Sequence, residues 1–190
     1  MKKMLKRGVF LAFLLAVSPL VLASWLEKQL LGGAERVFVI GAHLVALMPG
    51  FVGSLMRSAY YWATLDECHW ETNIGFGTVF SHRGASVGPY LVTGSYCMLG
   101  HVDIGRGVQL ASRVSIPSGR RPKPGAQAGS PVWEYAPMPI GADARIGESA
   151  VVLAPVGARA IVGAGSVVEQ PVPQAQCVAG NPARERASNC

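Results

Sequence analysis

From residue 74 onward, apolar residues return in short runs at a spacing of six positions. Most are followed by glycine or another small residue. Of the 14 anchor positions, 12 are Ile, Leu or Val, and nine are followed directly by Gly. The anchors are Ile74, Phe80, Val87, Thr93, Leu99, Ile104, Leu110, Ile116, Ile140, Ile146, Val152, Val156, Val162 and Val168. A short fixed period of this composition is typical of a solenoid.

These hexads predict an all-β fold, the left-handed parallel β-helix. Three hexads make one triangular coil, and the anchors stack inward from coil to coil. The small residue after each anchor is expected to turn a corner at φ values that are costly for a branched side chain. Further small residues stand four positions after many anchors: Thr78, Cys97, Val108, Val114, Ala144, Ala150, Ala160 and Ser166.

Two uncharged apolar segments precede the hexads. The first, residues 8–25, follows a basic start, and the second, residues 37–56, ends at Arg57 and is interrupted by Pro49-Gly50. Each is long enough to cross a hydrocarbon layer of ~30 Å. The Pro-Gly pair indicates a kinked, re-entrant or interfacial second helix.

Three interpretations of this region compete. Residues 21–23 resemble a signal-peptide cleavage site. A single signal anchor would leave the β-helix outside the cytoplasm. A hairpin of two helices, associated with the membrane through residues 8–56, would leave the flanking basic residues in the cytoplasm. The hairpin is favoured because the second segment needs burial whatever happens to the first. Its flanking basic residues are Lys2, Lys3, Lys6, Arg7 and Arg57.

Composition and charge agree with a membrane-associated protein. The chain is 50% hydrophobic and only 15% charged, which is apolar for a soluble protein of this size. Much of the net charge of +6 flanks the apolar segments, where it can contact anionic lipid. Because no basic stripe with interleaved aromatic residues occurs, a nucleic-acid partner is not predicted.

The cysteines form no C-x-x-C pair, which argues against both a zinc pattern and a disulfide framework. Four free thiols in a reducing compartment are expected. Cys68 and His69 are adjacent, but adjacent residues alone cannot close a metal site, so no metal is predicted. The four cysteines are Cys68, Cys97, Cys177 and Cys190.

The chain thus divides into an apolar helical segment, residues 1–65, and a β-helix domain, residues 66–190. A loop over residues 119–139, rich in Pro, Gly and basic residues, interrupts the hexads. Loops inserted into regular scaffolds often carry function. A tail over residues 171–190 follows the last coil, and the helices and this tail are expected to cover the open ends of the stack.

The hexads, together with the terminal Ala-Gly-Asn-Pro-Ala phrase of residues 179–183, resemble the hexapeptide-repeat acyltransferases, which use acetyl-CoA or a related acyl-CoA. The resemblance covers about residues 66–186. The phrases at residues 80–83 and 111–119 look like a membrane-associated subgroup. The resemblance implies a homotrimer with acyl-CoA bound in grooves between neighbouring β-helices.

The chemistry of such a site needs a base that removes a proton from an acceptor hydroxyl or amine, and neutral imidazole suits this task. Only His69, His82 and His101 lie in or beside the predicted β-helix. The hexad phase slips just after His82 and again at His101, which would bulge the coil and push these side chains into a groove. His82 and His101 are therefore the candidate catalytic residues; the alternative is that both are solvated turn residues.

By resemblance, Gly163, Ala164 and Ser166 would lie along the pantetheine arm of the co-substrate. Asn181 and Arg184 would sit near its nucleotide end, where a guanidinium suits phosphate. The alternative for Arg184 is a solvated basic tail.

The chain also departs from the family. Related sequences usually carry a histidine in the loop after Ser118-Gly119, whereas this chain has none after His101. Lys123 stands near that place, but an exposed lysine is protonated at neutral pH and is a poor base. Arg145 replaces a frequent Trp. Either another histidine does the work, or the activity is weak or lost.

Two functions follow from these observations. The first is an acyl-CoA-dependent O- or N-acetyltransferase of a bacterial-type inner membrane, acting at its cytoplasmic face on a glycan, lipid-linked or peptide acceptor. The second is a catalytically degenerate trimeric scaffold at the membrane. A γ-class carbonic anhydrase shares the fold, but His82 and His101 lack the close spacing that its zinc site needs.

Overall fold

The structure, a computed structural model, describes residues 2–32, 34–122 and 133–186. Three helices come first: α1 (Lys2–Leu30), α2 (Arg36–Ala46) and α3 (Gly50–Thr64). Short strands follow, and they fall into a first stack, a ribbon and a second stack.

The strands of the first stack are β1 (Glu67–Cys68), β2 (Val79–Phe80), β3 (Ser86–Val87), β4 (Val92–Thr93), β5 (Met98–Leu99), β6 (Val102–Ile104), β7 (Gln109–Leu110) and β8 (Ser115–Ile116). The ribbon consists of β9 (Gly119–Pro122) and β10 (Trp133–Ala136). The second stack and tail contain β11 (Met138–Ile140), β12 (Arg145–Ile146), β13 (Val151–Val152), β14 (Ile161–Val162), β15 (Val167–Val168), β16 (Cys177–Ala179) and β17 (Arg184–Glu185).

Three sheets, parallel except for the terminal strand β17, form the walls of a prism of about six turns. Sheet I contains β1, β3, β6 and β11, sheet II contains β4, β7, β12, β14, β16 and β17, and sheet III contains β2, β5, β8, β13 and β15. The chain passes the sheets in the order I, II, III, with single bridges at Asn73, Val156 and Val172 where a turn has no strand. Anchors pair with anchors from coil to coil, as Phe80 does with Leu99 and Leu99 with Ile116. The left-handed parallel β-helix predicted from the hexads is confirmed.

The core of the prism is the stack of anchors. All 14 anchors are buried, and so are the eight small residues four positions further on. Burying an aliphatic side chain contributes roughly 1.5–3 kcal/mol, so the repeated anchors are the main stabilising term of the coils.

The predicted reason for the glycines was wrong. Within the coils, the residues with positive φ stand three positions after an anchor, or after Val172 in the last coil, rather than directly after it. Most of them are not glycine: Tyr90, Tyr96, Arg113, Asp143, Ser149, Arg159 and Ala175. The glycines directly after the anchors lie against the backbone of the next coil. A Cβ on Gly105, for example, would lie 2.6 Å from the backbone nitrogen of Ala142. These positions require glycine for close approach between coils.

The second apolar segment forms two short helices instead of one, because the chain turns at Leu47–Pro49 between α2 and α3. Arg57, expected as a charge flanking the membrane, is buried in this turn. Its Nη1 donates to the carbonyl of Met48 at 2.7 Å, and its Nε donates to that of Ile74 at 2.9 Å. Within the described part of the chain, only residues 7–30 form a helix long and apolar enough to cross a membrane, a property shared by signal sequences and buried core helices.

The helices cover the first coil. Tyr61 of α3 packs edge to face on Phe80, with ring centroids 4.8 Å apart, and its hydroxyl accepts a hydrogen bond from the Phe80 N–H at 3.2 Å. Helix α1 is tied to the same coil by a buried ion pair between Glu27 and Arg83, whose Oε2 and Nη2 are 2.7 Å apart. The open end of the stack is therefore closed by packed side chains.

The interruption of the hexads at residues 119–139 contains an antiparallel ribbon, in which β9 pairs with β10. Lys123 lies outside the described residues. At the other end of the chain, β17 pairs antiparallel with β16. Cys177 of β16 is disulfide-bonded, so the expectation of four free thiols is wrong for this residue.

Candidate functional site

The two candidate histidines lie side by side at one corner of the prism. His82 follows β2 and His101 follows β5, so both stand where the chain passes from sheet III to sheet I, one coil apart. Their ring centroids are 6.5 Å apart. The two phase slips thus put both rings at the same corner, which we call the histidine corner.

A carboxylate from the helical region binds His82. Glu35 Oε2 lies 2.9 Å from His82 Nδ1, and the two side chains are 30% and 27% exposed. The other carboxylate oxygen, Oε1, accepts a hydrogen bond from the Arg83 backbone N–H at 2.9 Å. Both oxygens of Glu35 are therefore used to hold the turn that carries His82.

The surroundings of Glu35 keep it ionised. Partial burial disfavours its charge, but the hydrogen bonds from His82 and the Arg83 N–H, together with the charges of these two residues, hold the pKa of this carboxyl below its usual value. Glu35 also stands at the N-terminal end of α2, where the helix dipole favours a negative charge.

A groove of about 560 Å³ opens at the histidine corner. Its volume lies within the range of ~300–1,000 Å³ that ligand pockets occupy. Ser118 lines this groove, and its Oγ accepts a hydrogen bond from the backbone N–H of His101 at 2.7 Å. The groove combines an imidazole with apolar walls; its lining includes His82, Met98, Leu99, Ser118, Met138 and Leu153.

The free cysteines among the described residues, Cys68 and Cys97, do not offer a catalytic thiolate. Burial raises the pKa of the Cys68 thiol to about 12, and burial also raises that of Cys97. A buried thiol that stays protonated is inert. Across residues 2–32, 34–122 and 133–186, no three His, Cys, Asp or Glu side chains come together in a way that could hold a metal ion.

The residues expected at the co-substrate fall in different places. Gly163 and Ala164 line a second groove, of about 640 Å³, together with Arg145. Ser166 is fully buried, and its hydroxyl accepts a hydrogen bond from the Gly180 N–H at 3.1 Å, so its side chain belongs to the core.

Asn181 and Arg184 are exposed beyond β16, on the turn into β17 and on β17 itself. Arg184 Nη1 donates to the neighbouring carbonyl of Ala183 at 3.3 Å. The placement leaves both side chains at the surface, at the end of the stack opposite the helices.

The two grooves lie on different corners of the prism. Gly163 and Ala164 follow β14 of sheet II, whereas His82 follows β2 of sheet III. Sheet III separates the two corners. One chain therefore does not bring its candidate base together with its candidate co-substrate residues.

Glu35 is the site residue that the sequence did not reveal. It stands 47 positions before His82 and in a different structural unit. One signal was available: Glu27 and Glu35 are the only acidic residues before Arg57. Acids in an apolar region need partners, and these two bind the adjacent residues His82 and Arg83.

No protein-family model matches the sequence, and no curated protein matches it. Solved structures do. A maltose O-acetyltransferase from Clostridium difficile 630 matches with a TM-score of 0.68 and 21% identity, over 80% of this chain and 84% of that one. A point mutant of AntD, an N-acyltransferase from Bacillus cereus solved with dTDP and coenzyme A, matches with a TM-score of 0.50 and 16% identity, over 63% and 74%.

At these identities the likeness defines the fold. The repeated coils, the three parallel sheets and the buried anchors agree with it. This protein therefore has the left-handed parallel β-helix fold, and acetyl- and acyltransferases are among its structural neighbours.

Proposed function

We propose that this protein is an acetyl-CoA-dependent O- or N-acetyltransferase in which His82, held by Glu35, is the general base. The contact between His82 Nδ1 and Glu35 Oε2 at a groove of ligand size carries the proposal. A base oriented by a carboxylate is the arrangement that activates a hydroxyl or amine.

The residues divide the work as follows. An ionised carboxylate can only accept, so the Nδ1 of neutral His82 carries a proton and Nε2 has the lone pair. Nε2 takes the proton of the acceptor hydroxyl or amine as its oxygen or nitrogen bonds to the acetyl carbon, and later returns a proton to the departing sulfur. Glu35 stabilises the imidazolium between these steps. Such base catalysis is worth roughly 10²–10⁴-fold in rate.

Acetyl-CoA, when bound, supplies an acetyl group activated as a thioester. The apolar side chains of Met98 and Leu153 suit an acetyl group and its thioester at the histidine corner. Since Gly163 and Ala164 lie on another corner of the same chain, the proposal requires a homotrimer in which these residues come from the neighbouring protomer.

We propose that the acceptor is a glycan. Lipid-linked and peptide acceptors are the alternatives, because they too offer a hydroxyl or an amine as the nucleophile. The neighbour with the higher TM-score is a maltose O-acetyltransferase, which favours a sugar hydroxyl. A screen of mono- and disaccharides as acceptors tests this choice, with the release of the free thiol of coenzyme A from acetyl-CoA as the measured signal.

We propose that the helical region attaches the protein to a bacterial-type inner membrane, with the β-helix on the cytoplasmic side. The hydropathy of residues 7–30, the basic start and the availability of acyl-CoA in the cytoplasm support this location. The alternative, a single signal anchor, would leave the β-helix outside the cytoplasm. Access of a membrane-impermeant protease to a C-terminal tag in intact spheroplasts decides between the two.

The decisive experiment on the base uses His82→Ala and His101→Ala. We expect His82→Ala to lower kcat for acetyl transfer by ~10²–10⁴-fold while leaving the trimer intact. Unchanged rates in both variants, with an active wild type, would eliminate a histidine base.

A scaffold without catalysis is the second candidate, favoured by the lack of any histidine after His101. Calorimetry with acetyl-CoA on detergent-solubilised protein separates the two functions. Micromolar binding supports the transferase, whereas a folded trimer that binds no acetyl-CoA supports the scaffold.

A further inference from the structure

The outer surface of the helical region is apolar. Leu15 and Leu30 of α1 are 74% and 77% exposed, and Phe51 of α3 is 76% exposed. Large exposed apolar patches mark protein or membrane interaction sites. The outward residues on the three helices include Leu11, Leu15, Leu22, Leu26, Ile40, Leu44, Phe51 and Val52.

Helix α1 touches the first coil near both of its ends. Toward its start, Phe10 packs on Trp70 of the coil, with ring centroids 6.0 Å apart. Toward its end, Ser24 Oγ accepts a hydrogen bond from Arg83 Nη1 at 2.7 Å, and Lys28 Nζ lies 3.1 Å from Asp66 Oδ1. At 1.5 Å per residue, these contacts are spread over roughly 21 Å of the helix axis between Phe10 and Ser24.

This docking is incompatible with a helix that crosses the bilayer. If α1 stood across the membrane, Trp70 and its neighbours His69 and Glu71 would be drawn into the hydrocarbon beside it. Irregular backbone and charged side chains are not tolerated in contact with lipid. The other two helices cannot complete a hairpin of spans, because α2 has 11 residues and α3 has 15, fewer than the ~17–25 that a span needs.

The acidic and basic residues of the helical region differ in number and in partners. Its only acidic residues, Glu27 and Glu35, are turned inward onto Arg83 and His82. The remaining charged residues before Arg57 are all basic: Lys2, Lys3, Lys6, Arg7 and Arg36, together with Lys28, which pairs with Asp66 of the first coil. This distribution complements an anionic lipid surface, at about 1 kcal/mol for each basic residue near it.

We infer that α1, α2 and α3 form a platform that lies in the plane of one leaflet of an anionic membrane, with α1 along the bilayer rather than across it. The inference rests on the membrane association proposed above and adds its geometry. The histidine corner is then held close to the lipid surface, since Glu35, which binds His82, directly precedes the platform helix α2.

The test follows three points of the full-length chain: an N-terminal tag, a C-terminal tag and a Leu31→Cys variant. Impermeant protease and impermeant maleimide are applied to spheroplasts and to inverted vesicles, with the unsubstituted chain as the background for thiol labelling. Leu31 is exposed at the turn after α1. We expect membrane-bound protein whose three points are all reached from the same side.

Each of the other outcomes overturns either the in-plane geometry or the membrane association. If the tags lie on opposite sides, α1 crosses the membrane. If both tags lie on one side and residue 31 on the other, the helices form a spanning hairpin. In these two cases membrane association stands and the in-plane geometry fails. Wholly soluble protein, or loss of the N-terminal tag by cleavage, removes the membrane association itself.

A second measurement uses the outward face directly. Leu15→Asp should lower binding to vesicles of phosphatidylglycerol and phosphatidylethanolamine by about tenfold or more, because it removes a lipid-buried Leu and adds a negative charge. The matched control is Tyr96→Asp, at a 61% exposed aromatic residue on a β-helix corner where φ is +59°, which Asp tolerates. Equal binding of both variants and the wild type would overturn the platform.

Discussion

At the scale of single residues, Glu35 connects the helices to the proposed base. Replacing it with Gln keeps the shape but removes the charge that fixes the His82 tautomer and stabilises its imidazolium. We expect Glu35→Gln to lower kcat by about tenfold or more with little change in KM, since the loss falls on the transition state. Thiol release from acetyl-CoA with a saturating acceptor measures the effect.

The matched control for this substitution is Glu67→Gln. Glu67 is an exposed acid on β1 that hydrogen-bonds Ser86 at 3.1 Å and lies outside the histidine corner. Its variant should have wild-type kcat. An equal loss of kcat in both variants would assign the effect to general charge or stability instead of to the His82 contact.

Glu35 also gives the fold a defined dependence on pH. Its pKa in the folded protein is below the value of 4.5 of the free group, so its contacts stabilise the fold fully above about pH 4.5. That contribution is lost as the pH falls through the folded pKa. The Tm of the wild type should therefore exceed that of Glu35→Gln at pH 7, and the difference should shrink on acidification below pH 4.5. A difference that grows toward acid pH would contradict this assignment.

The sequence predicted some residues of the histidine corner but not all of them. His82 and His101 could be selected because the hexad phase slips beside them. Glu35 could not, because its relation to His82 depends on how α1 and α2 dock on the first coil, and no local pattern encodes that docking. The resemblance placed Ser166 at the co-substrate, whereas its place in the hexad, four positions after the anchor Val162, is one of the eight such places that are buried.

At the scale of elements, the contact between coils explains the glycine after each anchor. Gly105→Ala adds a Cβ 2.6 Å from the Ala142 nitrogen, and the backbone of the next coil cannot yield easily. We expect a loss of unfolding free energy of about 1–3 kcal/mol, measured by denaturant unfolding in detergent. Gly165→Asn is the matched control, because φ there is +65° and no atom lies within 4 Å of the added Cβ.

Asn tolerates a left-handed φ better than most residues, so Gly165→Asn should cost only a few tenths of a kcal/mol. The reverse order of the two costs would restore the original expectation, in which the glycines are needed for their φ values. The six-residue period thus predicted where the glycines stand, while their physical role depended on the distance between coils.

The docking of α1 depends on its buried ion pair. Glu27→Gln leaves Arg83 buried without its counter-charge, and breaking a buried pair costs about 3–5 kcal/mol. We therefore expect Glu27→Gln to lower Tm by several degrees and to reduce acetyl transfer as well, because Glu35 is positioned by the same docking. Lys28→Gln, which removes an ion pair with both side chains about half exposed, should change Tm little.

A double variant, Glu27→Gln with Arg83→Met, separates charge from packing. If the cost of Glu27→Gln comes from the unpaired Arg83, the double variant should be more stable than the sum of the two single losses predicts. Strict additivity of the two losses would show that the pair does not act as a unit.

The helical elements were only partly predictable. Hydropathy located both apolar segments, but it could not show that residues 37–56 break into α2 and α3. That break depends on Arg57, which satisfies carbonyls at the end of α2 and in the first coil. In the sequence, a buried arginine of this kind cannot be distinguished from an exposed charge that flanks a membrane segment.

At the scale of the whole molecule, the separation of the two grooves predicts a shared site. His82 and Ala164 lie on different corners of one chain, so a working site needs the His82 corner of one protomer and the Ala164 corner of its neighbour. We expect His82→Ala to be inactive for lack of a base. Ala164→Trp should be inactive too, because the indole of this exposed residue fills the second groove.

Mixed trimers of these two variants should recover activity. A site is intact when its histidine comes from an Ala164→Trp chain and its neighbour is a His82→Ala chain, so random assembly at equal amounts should restore about a quarter of the sites. Co-expression with two different tags, tandem purification and thiol release from acetyl-CoA measure the recovery. The control is a mixture of separately purified variants that have not exchanged subunits, which should stay inactive. Mixed trimers as inactive as the parents would confine each site to a single chain, and the proposed cross-protomer arrangement would fail while a base at His82 could still stand.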